Sequence, residues 1–246
     1  AAKVKHLVKT YNADLKRLDG VRSREDLADL LDGSIKWTRA VKNDLRKGVE
    51  YEFNNNAIEE SYYRPFVKRK LYFDRHLNEM VYQVPQLFGP KAGVNRAFGF
   101  AAEERSEFGA IAFDCVPNKD IFMPSAAQVL ALHRYVNGSR IDNITDWSLL
   151  QFKKHYGAKG ITKEAIFHYV YAVLHDPQYR ETYAQNLKRE FPRIPLYGDS
   201  DSTFWQWAAW GEALMALHIG YEQVRPFALV RTDVPDEKVR AAGQSP

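Results

Sequence analysis

Aromatic and cationic residues are concentrated in one short stretch, residues 62–75. It contains five aromatic and five cationic side chains: Tyr62, Tyr63, Phe66, Tyr72 and Phe73, and Arg64, Lys68, Arg69, Lys70 and Arg75. Rings that stack on bases and cations that bind phosphates recur in nucleic-acid-binding surfaces. This composition favours a nucleic acid as a binding partner.

The spacing within this stretch predicts an extended segment. Pro65 fixes its own φ and disfavours the helical region for Arg64. From Val67 onward the residue types alternate with a period of two, which is typical of a strand. Lys68 and Lys70 would then project from one face about 7 Å apart, roughly the phosphate repeat along DNA.

A purely structural interpretation of the same stretch is equally open. Tyr63, Phe66, Leu71 and Phe73 are then core residues, and the cations form a solvated face whose aliphatic stems cover that core. The sequence does not decide between the two interpretations for the cations, and it favours a core position for Leu71 and Phe73.

A second cationic surface is predicted on a helix over residues 35–47. Ser34 is its expected N-cap, and Gly48 is expected to end it. Its apolar stripe contains Trp37, Val41 and Leu45. Its other faces carry Lys36, Arg39, Lys42, Arg46 and Lys47. Such a helix can lie along a phosphate backbone, although an ordinary surface helix has the same pattern.

The common catalytic motifs are absent from the sequence. There is no G-x-x-x-x-G-K-[ST], G-x-G-x-x-G or H-E-x-x-H motif, and no Asn/Asp-Pro-Pro-aromatic motif of the kind that amino-methyltransferases use. The seven histidines are scattered, and His168 and His218 are interpreted as structural. Cys115 follows an apolar run and is interpreted as a small buried residue. We therefore predict that this chain alone catalyses no reaction and that it holds no metal.

Composition and charge distribution limit the classes of protein. The chain has 246 residues, of which 45% are hydrophobic and 13% aromatic, enough for one domain or two tightly joined ones. Residues 1–100 contain 19 Lys and Arg against 13 Asp and Glu, whereas residues 101–246 contain 16 against 18. The formal net charge of +4 therefore arises in the first part of the chain.

The single cysteine allows no intramolecular disulfide, so a reducing compartment is expected. The first residues contain no apolar signal core, and no run approaches the roughly 18 apolar residues that cross a bilayer. A cytoplasmic chain without a membrane partner is the expectation. Because the chain begins abruptly in a helical pattern, it is also expected to be a fragment of something longer.

The periodicity predicts an α+β fold with N-terminal helices, a central mixed β-sheet region with exposed loops, and a C-terminal helical bundle packed on it. We expect one domain over residues 1–246. It divides into a helical lead-in (1–60), a β-rich region (61–142), a helical region (143–222) and a tail (223–246).

Local signals place the elements within this outline. Residues 97–102 and 108–113 are predicted strands joined by a charged loop, residues 116–120 a polar loop, and residues 128–135 a strand or a helix. Ser23, Thr145 and Thr162 are expected helix caps, and Pro177 is expected to begin a helix that continues to Phe191. The last long helix is predicted over residues 203–221.

The chain resembles the C-terminal target-recognition, or specificity, region of type ISP restriction-modification enzymes. The matching blocks span residues 35–222: Ile35-Lys36-Trp37-Thr38-Arg39, Ser61-Tyr62-Tyr63-Arg64-Pro65-Phe66, Leu71-Tyr72-Phe73-Asp74, Asn78-Glu79, Ile161-Thr162-Lys163-Glu164, Phe167-His168-Tyr169-Val170-Tyr171, Leu174-His175-Asp176-Pro177-Gln178-Tyr179-Arg180, Tyr183-Ala184, Leu187-Lys188 and Pro192-Arg193-Ile194-Pro195.

The resemblance implies a bacterial protein part that recognises a short asymmetric double-stranded DNA sequence. Other domains of such single-chain enzymes carry the nuclease, the helicase-like motor and the adenine-N6 methyltransferase, with S-adenosylmethionine, ATP and Mg²⁺ as their cofactors. The resemblance implies no cofactor for the part in hand.

Residues 89–140 match the family pattern least, so the base-contacting loops are expected there. Base-edge candidates are Arg96, Asn118, Lys119, Arg140 and Asn143. Phosphate-contact candidates are Arg39, Lys42, Arg46, Lys47, Arg64, Lys68, Arg69 and Lys70. Residues 62–66 are equally expected to dock the domain onto its methyltransferase.

Two other functions remain open from sequence. The chain can be a docking domain that anchors the methyltransferase and the motor without contacting DNA. It can also be an enzyme whose site has no recognisable motif, which would show as a pocket with converging acids and histidines.

Overall fold

The computed structural model describes residues 1–21, 25–88, 95–101, 107–123, 127–157 and 159–228. Its first part contains helix α1 (Ala2–Arg17), a 3-10 helix (Glu25–Leu30) and helix α2 (Arg39–Lys47). The core of this part includes Tyr11 and Tyr51, whose rings stack with 3.8 Å between centroids. The predicted N-terminal helices are therefore confirmed.

Helix α2 begins later than predicted. Thr38, not Ser34, is its N-cap, and the Thr38 hydroxyl accepts a hydrogen bond from the Val41 amide at 3.3 Å. Gly48 ends the helix as predicted, with a left-handed φ of 74° that glycine adopts without strain. The predicted cap Ser23 lies outside the described residues.

Strands β1 (Ile58–Arg64) and β2 (Val67–Tyr72) form an antiparallel pair, the first hairpin. A 3-10 helix (Asn55–Ala57) precedes β1. The predicted strand from Val67 is confirmed, but Pro65 and Phe66 form the turn between the two strands rather than an extended start. Phe66 has a φ of 57° there. The fixed φ of proline suits such a turn as well as it suits a strand.

Helix α3 (Val84–Phe88) leads to the central sheet of β3 (Ala97–Ala101), β4 (Gly109–Phe113) and β6 (Gln128–Ala131), in the order β4-β3-β6. This confirms the strands predicted near residues 97 and 108. The charged loop expected between them lies mostly outside the described residues. Strand β3 is buried along its whole length because Phe98 and Phe100 face one core and Ala97 faces another.

Residues 116–120 were expected to be a loop, but Val116–Pro117 form strand β5, which pairs in parallel with β1. Since the other strand pairs of the described residues are antiparallel, this short pair makes the β region mixed.

The ambiguous residues 128–135 contain β6 and most of β7 (His133–Val136), which pairs with β8 (Ser139–Asp142) in a separate two-stranded sheet, the second hairpin. Its two-residue turn has φ values of 50° at Asn137 and 78° at Gly138. Positive φ at both positions defines a type I′ turn, for which Asn-Gly is the preferred sequence. Helix α3 packs against β7.

The C-terminal part is helical, as predicted. Its helices are α4 (Asp146–Tyr156), α5 (Lys163–Val173), α6 (Pro177–Thr182), α7 (Ala184–Leu187) and α8 (Asp201–Ile219), with a final 3-10 helix (Tyr221–Gln223). The caps predicted at Thr145 and Thr162 are confirmed. One helix was expected from Pro177 to Phe191. Instead, the non-helical Tyr183, with φ of −106° and ψ of 19°, separates α6 from α7, and α7 ends at Leu187.

Helices α5 and α8 cross at very close range, and α8 also packs on β4. At Gly211 a Cβ atom would lie 1.8 Å from the carbonyl oxygen of His168. No other residue fits at this crossing without moving one helix away from the other. The bundle therefore covers the central sheet, and the α+β prediction is confirmed. None of the described helices is both long and apolar enough to cross a membrane.

Candidate nucleic-acid interface

Two guanidinium groups lie over the ring of Tyr63 beside the turn of the first hairpin. The Arg64 Cζ atom is 4.3 Å and the Arg69 Cζ atom 5.1 Å from the ring centroid. Tyr63 is 37% exposed and Phe66 48%, so neither is the core residue of the structural interpretation, whereas Leu71 and Phe73 do pack against a core. Arg69 is exposed and Arg64 is half-buried, so one exposed and one partly covered cation lie beside the exposed Tyr63 ring, which suits a phosphate or an unstacked base.

Lys68 and Lys70 share one ionic partner but differ in exposure. Their ammonium nitrogens lie 3.8 Å and 3.5 Å from the carboxylate of Glu60. The Lys68 side chain is only 11% exposed, and its ammonium donates to the Ile219 carbonyl at 3.1 Å. The Lys70 side chain is 71% exposed. The expected exposed lysine pair is therefore not formed, because Lys68 is bound to the end of α8.

Helix α2 presents its cations on the side opposite to the buried Val41 and Leu45. Arg39 donates to Glu79 at 2.7 Å, so part of its charge is compensated. Arg46 and Lys47 are exposed, and Lys42 is half-buried. The predicted cationic surface thus exists, although it is shorter than the sequence indicated.

Arg96 lies against the bundle. Its guanidinium is 3.5 Å from the Glu164 carboxylate and 3.5 Å from Nε2 of His168. Burial lowers the pKa of His168, and the nearby carboxylates of Glu212 and Glu164 oppose this shift. Since the Arg96 side chain is still 47% exposed, it can bind an anion only in competition with Glu164.

Asn118 and Lys119 occupy a turn after β5. The backbone amide of Asn118 donates to the Tyr62 carbonyl at 2.8 Å. The Asn118 side-chain Oδ1 accepts from the backbone amide of Asp120, also at 2.8 Å. Lys119 is 68% exposed, with Asp120 at 3.9 Å. Asn118 therefore shapes the turn, and Lys119 is the cation that the turn exposes.

Asn143 anchors the second hairpin. Its side-chain amide donates to the Ala131 carbonyl at 2.9 Å, and its backbone amide donates to the Leu132 carbonyl at 3.0 Å. Arg140 lies on β8, which is exposed along its whole length. Of these two predicted base contacts, the structure leaves Arg140 open to solvent and assigns Asn143 a structural position.

Arg134 was missed by the sequence analysis. It lies on β7 in an exposed position directly opposite Ile141. The signal that could have found it is Asn137-Gly138, which predicts a tight hairpin and hence the alternating faces of its strands.

The described residues contain no cluster of histidine, cysteine, aspartate or glutamate suited to a metal ion. Cys115 is buried, and burial raises the pKa of its thiol to about 12. Burial lowers the pKa of His218 to about 4, so its imidazole is neutral at pH 7. The thiol is thus protonated and shielded from solvent at neutral pH.

Comparison with known proteins identifies the family. The model for the Type ISP C-terminal specificity domain matches residues 1–244. The chain belongs to this family. A search of curated protein sequences found no match.

Solved structures similar to this specificity domain include the cryoEM structure of a DrdV–DNA complex, with a TM-score of 0.84 and 43% identity over 95% of this chain. The structure of a nuclease-deletion mutant of the Type ISP enzyme LlaGI in complex with a DNA substrate mimic is similar with a TM-score of 0.75 and 27% identity over 92% of this chain. The structure of the ATP-dependent Type ISP enzyme LlaBIII bound to DNA has a TM-score of 0.73 and 19% identity over 91% of this chain. At this identity the similarity shows the fold alone. The specificity domain covers only 22%, 20% and 15% of these three chains.

Contacts connect the α2 surface of the specificity domain to its second hairpin. Arg39 binds Glu79, the segment after Glu79 leads into α3, and α3 packs on β7. The first hairpin instead joins the C-terminal end of α8 through Lys68. The predicted phosphate-contact cations therefore fall into two groups, one on α2 and one on the first hairpin.

Proposed function

We propose that this chain is the DNA target-recognition domain of a bacterial restriction-modification enzyme, acting as one domain over residues 1–246. It binds double-stranded DNA and directs adenine-N6 methylation and cleavage that other domains carry out. The observation that carries the proposal is the 43% identity over 95% of the chain to part of a protein whose structure is a complex with DNA. A location in the bacterial cytoplasm follows from the same proposal.

The phosphate contacts in this proposal come mainly from cations on two elements, of which Lys42 and Arg64 are half-buried and the others exposed. Arg46 and Lys47 on α2, with Lys42 and Arg39 beside them, supply one group. Arg64, Arg69 and Lys70 on the first hairpin supply the other, and Lys119 and Arg96 supply single charges. Such contacts position a domain on the duplex without distinguishing its sequence.

Selection from a randomised duplex library at two salt concentrations tests the proposal. We expect the chain to enrich a short asymmetric site that contains an adenine, with weaker binding at the higher salt concentration because phosphate contacts release counterions. Replacing Arg46 and Lys47 by glutamate should weaken binding to all sequences and reduce the salt dependence. Absence of binding even at low salt would contradict the proposal.

A second function, docking of the methyltransferase domain of the same full-length chain, is favoured by the outer face of α8. This face exposes Trp205 (40%), Trp210 (54%) and Leu217 (52%), together with Ala209, Ala213 and Ala216. Gln206 and Glu212 are exposed on α8 as well, but so many large exposed apolar side chains on one helix are typical of an interaction surface. Since the family is a C-terminal domain and related chains are much longer, the methyltransferase domain is the partner we propose for this face.

A separately produced methyltransferase region tests the docking proposal. Replacing Trp205 and Trp210 by serine should weaken its binding to this domain at least tenfold, whereas Trp147→Ser on α4, where the side chain is 70% exposed, should leave binding unchanged. Equal loss in both variants, or none in either, would exclude α8 as the docking face. S-adenosylmethionine, ATP and Mg²⁺ belong, in this proposal, to the other domains.

A further inference from the structure

The second hairpin stands apart from the sheets that form the core. Its strands β7 and β8 pair only with each other among the described residues, and β8 is exposed throughout. A two-stranded hairpin is marginally stable unless something supports it. Among the described residues, its support comes from the base and from one side, and the remaining face is uncovered.

Cross-strand register defines that uncovered face. Arg134 lies opposite Ile141, and Val136 lies opposite Ser139, and all four side chains are exposed. The opposite face contains the half-buried His133 and Tyr135 of β7, the strand that packs against α3, together with the exposed Arg140 and Asp142 of β8. Val136 is 44% and Ile141 36% exposed, so the free face combines a cation with two apolar residues and a hydroxyl.

The base of the hairpin is held rigidly. Asn95 is 3% exposed, and its side-chain amide donates to the His133 carbonyl at 2.7 Å and to the Leu87 carbonyl. Its Oδ1 accepts from the His133 amide at 3.2 Å. On the other strand, Asp142 binds Lys163 at 3.1 Å. The hairpin therefore projects in a fixed direction from both the α3 side and the start of α5.

Two arginines of this ribbon carry no ionic partner among the described residues: Arg134 and, opposite Tyr135, Arg140. This contrasts with Arg39, Arg96 and Lys119, each of which has a carboxylate within 4 Å. Uncompensated guanidinium groups on a rigid element suit bidentate hydrogen bonding to an acceptor pair such as O6 and N7 of guanine. Exposed Val136 and Ile141 suit the methyl group of thymine.

We infer that the second hairpin enters the major groove of the target DNA with its free face and that Arg134 contacts a base edge there. The inference rests on the proposed function and adds to it the element and the residue that confer specificity. The major groove is about 12 Å wide and admits a two-stranded β-ribbon. Strands of four residues span about 13 Å, enough to reach a few successive base pairs.

Conservative and non-conservative substitutions separate base contacts from phosphate contacts. Arg134→Ala should weaken binding to the selected site on the order of 10-fold to 100-fold and relax its sequence at one or two positions. Arg140→Ala removes the same charge from the opposite face and should leave the selected sequence unchanged. Arg134→Lys keeps the charge but loses the planar fork, so it should relax the site as well. Arg189→Ala, at an exposed arginine after α7, is the control with the same loss of charge.

The test uses the same library selection and measures affinity for the selected site and for random duplex. Unchanged site preference in Arg134→Ala would overturn the hairpin inference, and so would equal weakening on all sequences with full recovery in Arg134→Lys. A wild-type chain that enriches a site while Arg134→Ala enriches the same one overturns only the hairpin's role. A wild-type chain that binds no duplex overturns the proposed function together with it.

Discussion

Gly211 of α8 lies directly against the carbonyl group of His168 in α5, at the point where the two helices cross. Gly211→Ala would improve the helix propensity of α8 by about 1 kcal/mol in isolation. We nevertheless expect a net loss of about 2 kcal/mol or more, because a methyl group at 1.8 Å from a backbone oxygen forces the helices apart. Chemical denaturation measures the free energy of unfolding.

Gly33→Ala is the control for that experiment, since a Cβ at this position meets no atom within 4 Å. If both glycine substitutions change the free energy of unfolding by the same small amount, the close crossing is not required for stability.

Asn95 is expected to determine the stability of the second hairpin. Asn95→Ala removes the partners of three backbone groups, the Leu87 carbonyl and both polar groups of His133. Each buried polar group without a partner costs about 1–3 kcal/mol, so we expect a loss of about 2–4 kcal/mol and faster hydrogen exchange in β7. Hydrogen exchange monitored by mass spectrometry localises the effect. Asn186→Ala, at an exposed amide, should change neither quantity, and protection of β7 that survives Asn95→Ala would contradict this role.

Lys68 and Lys70 differ in what their removal should do. Lys68→Ala leaves Glu60 and the Ile219 carbonyl without the ammonium group that both now contact, so we expect a destabilisation of about 1–2 kcal/mol. Lys70→Ala removes an exposed ion pair and should cost less than about 0.5 kcal/mol. Thermal unfolding of the two variants distinguishes these effects, and the reverse order of stabilities would show that the contact with α8 is weak.

Stability should decrease at acidic pH because of His218 in the last turn of α8 and His175, which contacts it. Burial lowers the pKa of His218 to about 4 and also lowers that of His175. The Tyr171 hydroxyl lies 2.5 Å from Nδ1 of His218, and the His175 and His218 rings meet edge to face with 5.4 Å between centroids. The positive charge of Arg180 disfavours protonation of His218. The unfolded chain binds protons near pH 6.5 while the folded chain does not, so this stabilisation is complete above pH 6.5 and falls progressively towards pH 4.

Denaturation at a series of pH values from 7 to 4 measures this decrease. Each additional proton bound by the unfolded chain contributes a slope of about 1.4 kcal/mol per pH unit. His218→Gln should remove part of the slope. A variant with the wild-type slope would assign the acid sensitivity to other groups.

Sequence reasoning succeeded where the signal was local. Thr145 and Thr162 cap α4 and α5 because a hydroxyl beside the first helical amides is sufficient for capping. The alternation of residue types from Val67 predicted strand β2 correctly, because this pattern is also a local signal. The Asn137-Gly138 turn was equally local, and attention to it would have placed the second hairpin and Arg134.

It failed where a distant residue decides the outcome. The alternation in β2 cannot show that Lys68 is covered, because its carbonyl partner lies 151 residues later in the chain. Asn143 has the side chain of a base contact, which stays a prediction, and only the path of the chain reveals that its side-chain amide donates to the Ala131 carbonyl. Arg96 likewise has a carboxylate neighbour, Glu164, that comes from a different element.

The contacts between the first hairpin and the end of α8 have a consequence for folding during synthesis. The Tyr62 hydroxyl donates to the His218 carbonyl, and the Lys68 amide donates to the Tyr221 hydroxyl, over sequence separations of 156 and 153 residues. A ribosome that has released the first hairpin must still translate the whole bundle before these bonds can form. Such non-local contacts are slow to close. Lys68 and Tyr62 therefore remain without these partners until the last helix has been synthesised. During that time the first hairpin is accessible to chaperones that bind exposed aromatic segments.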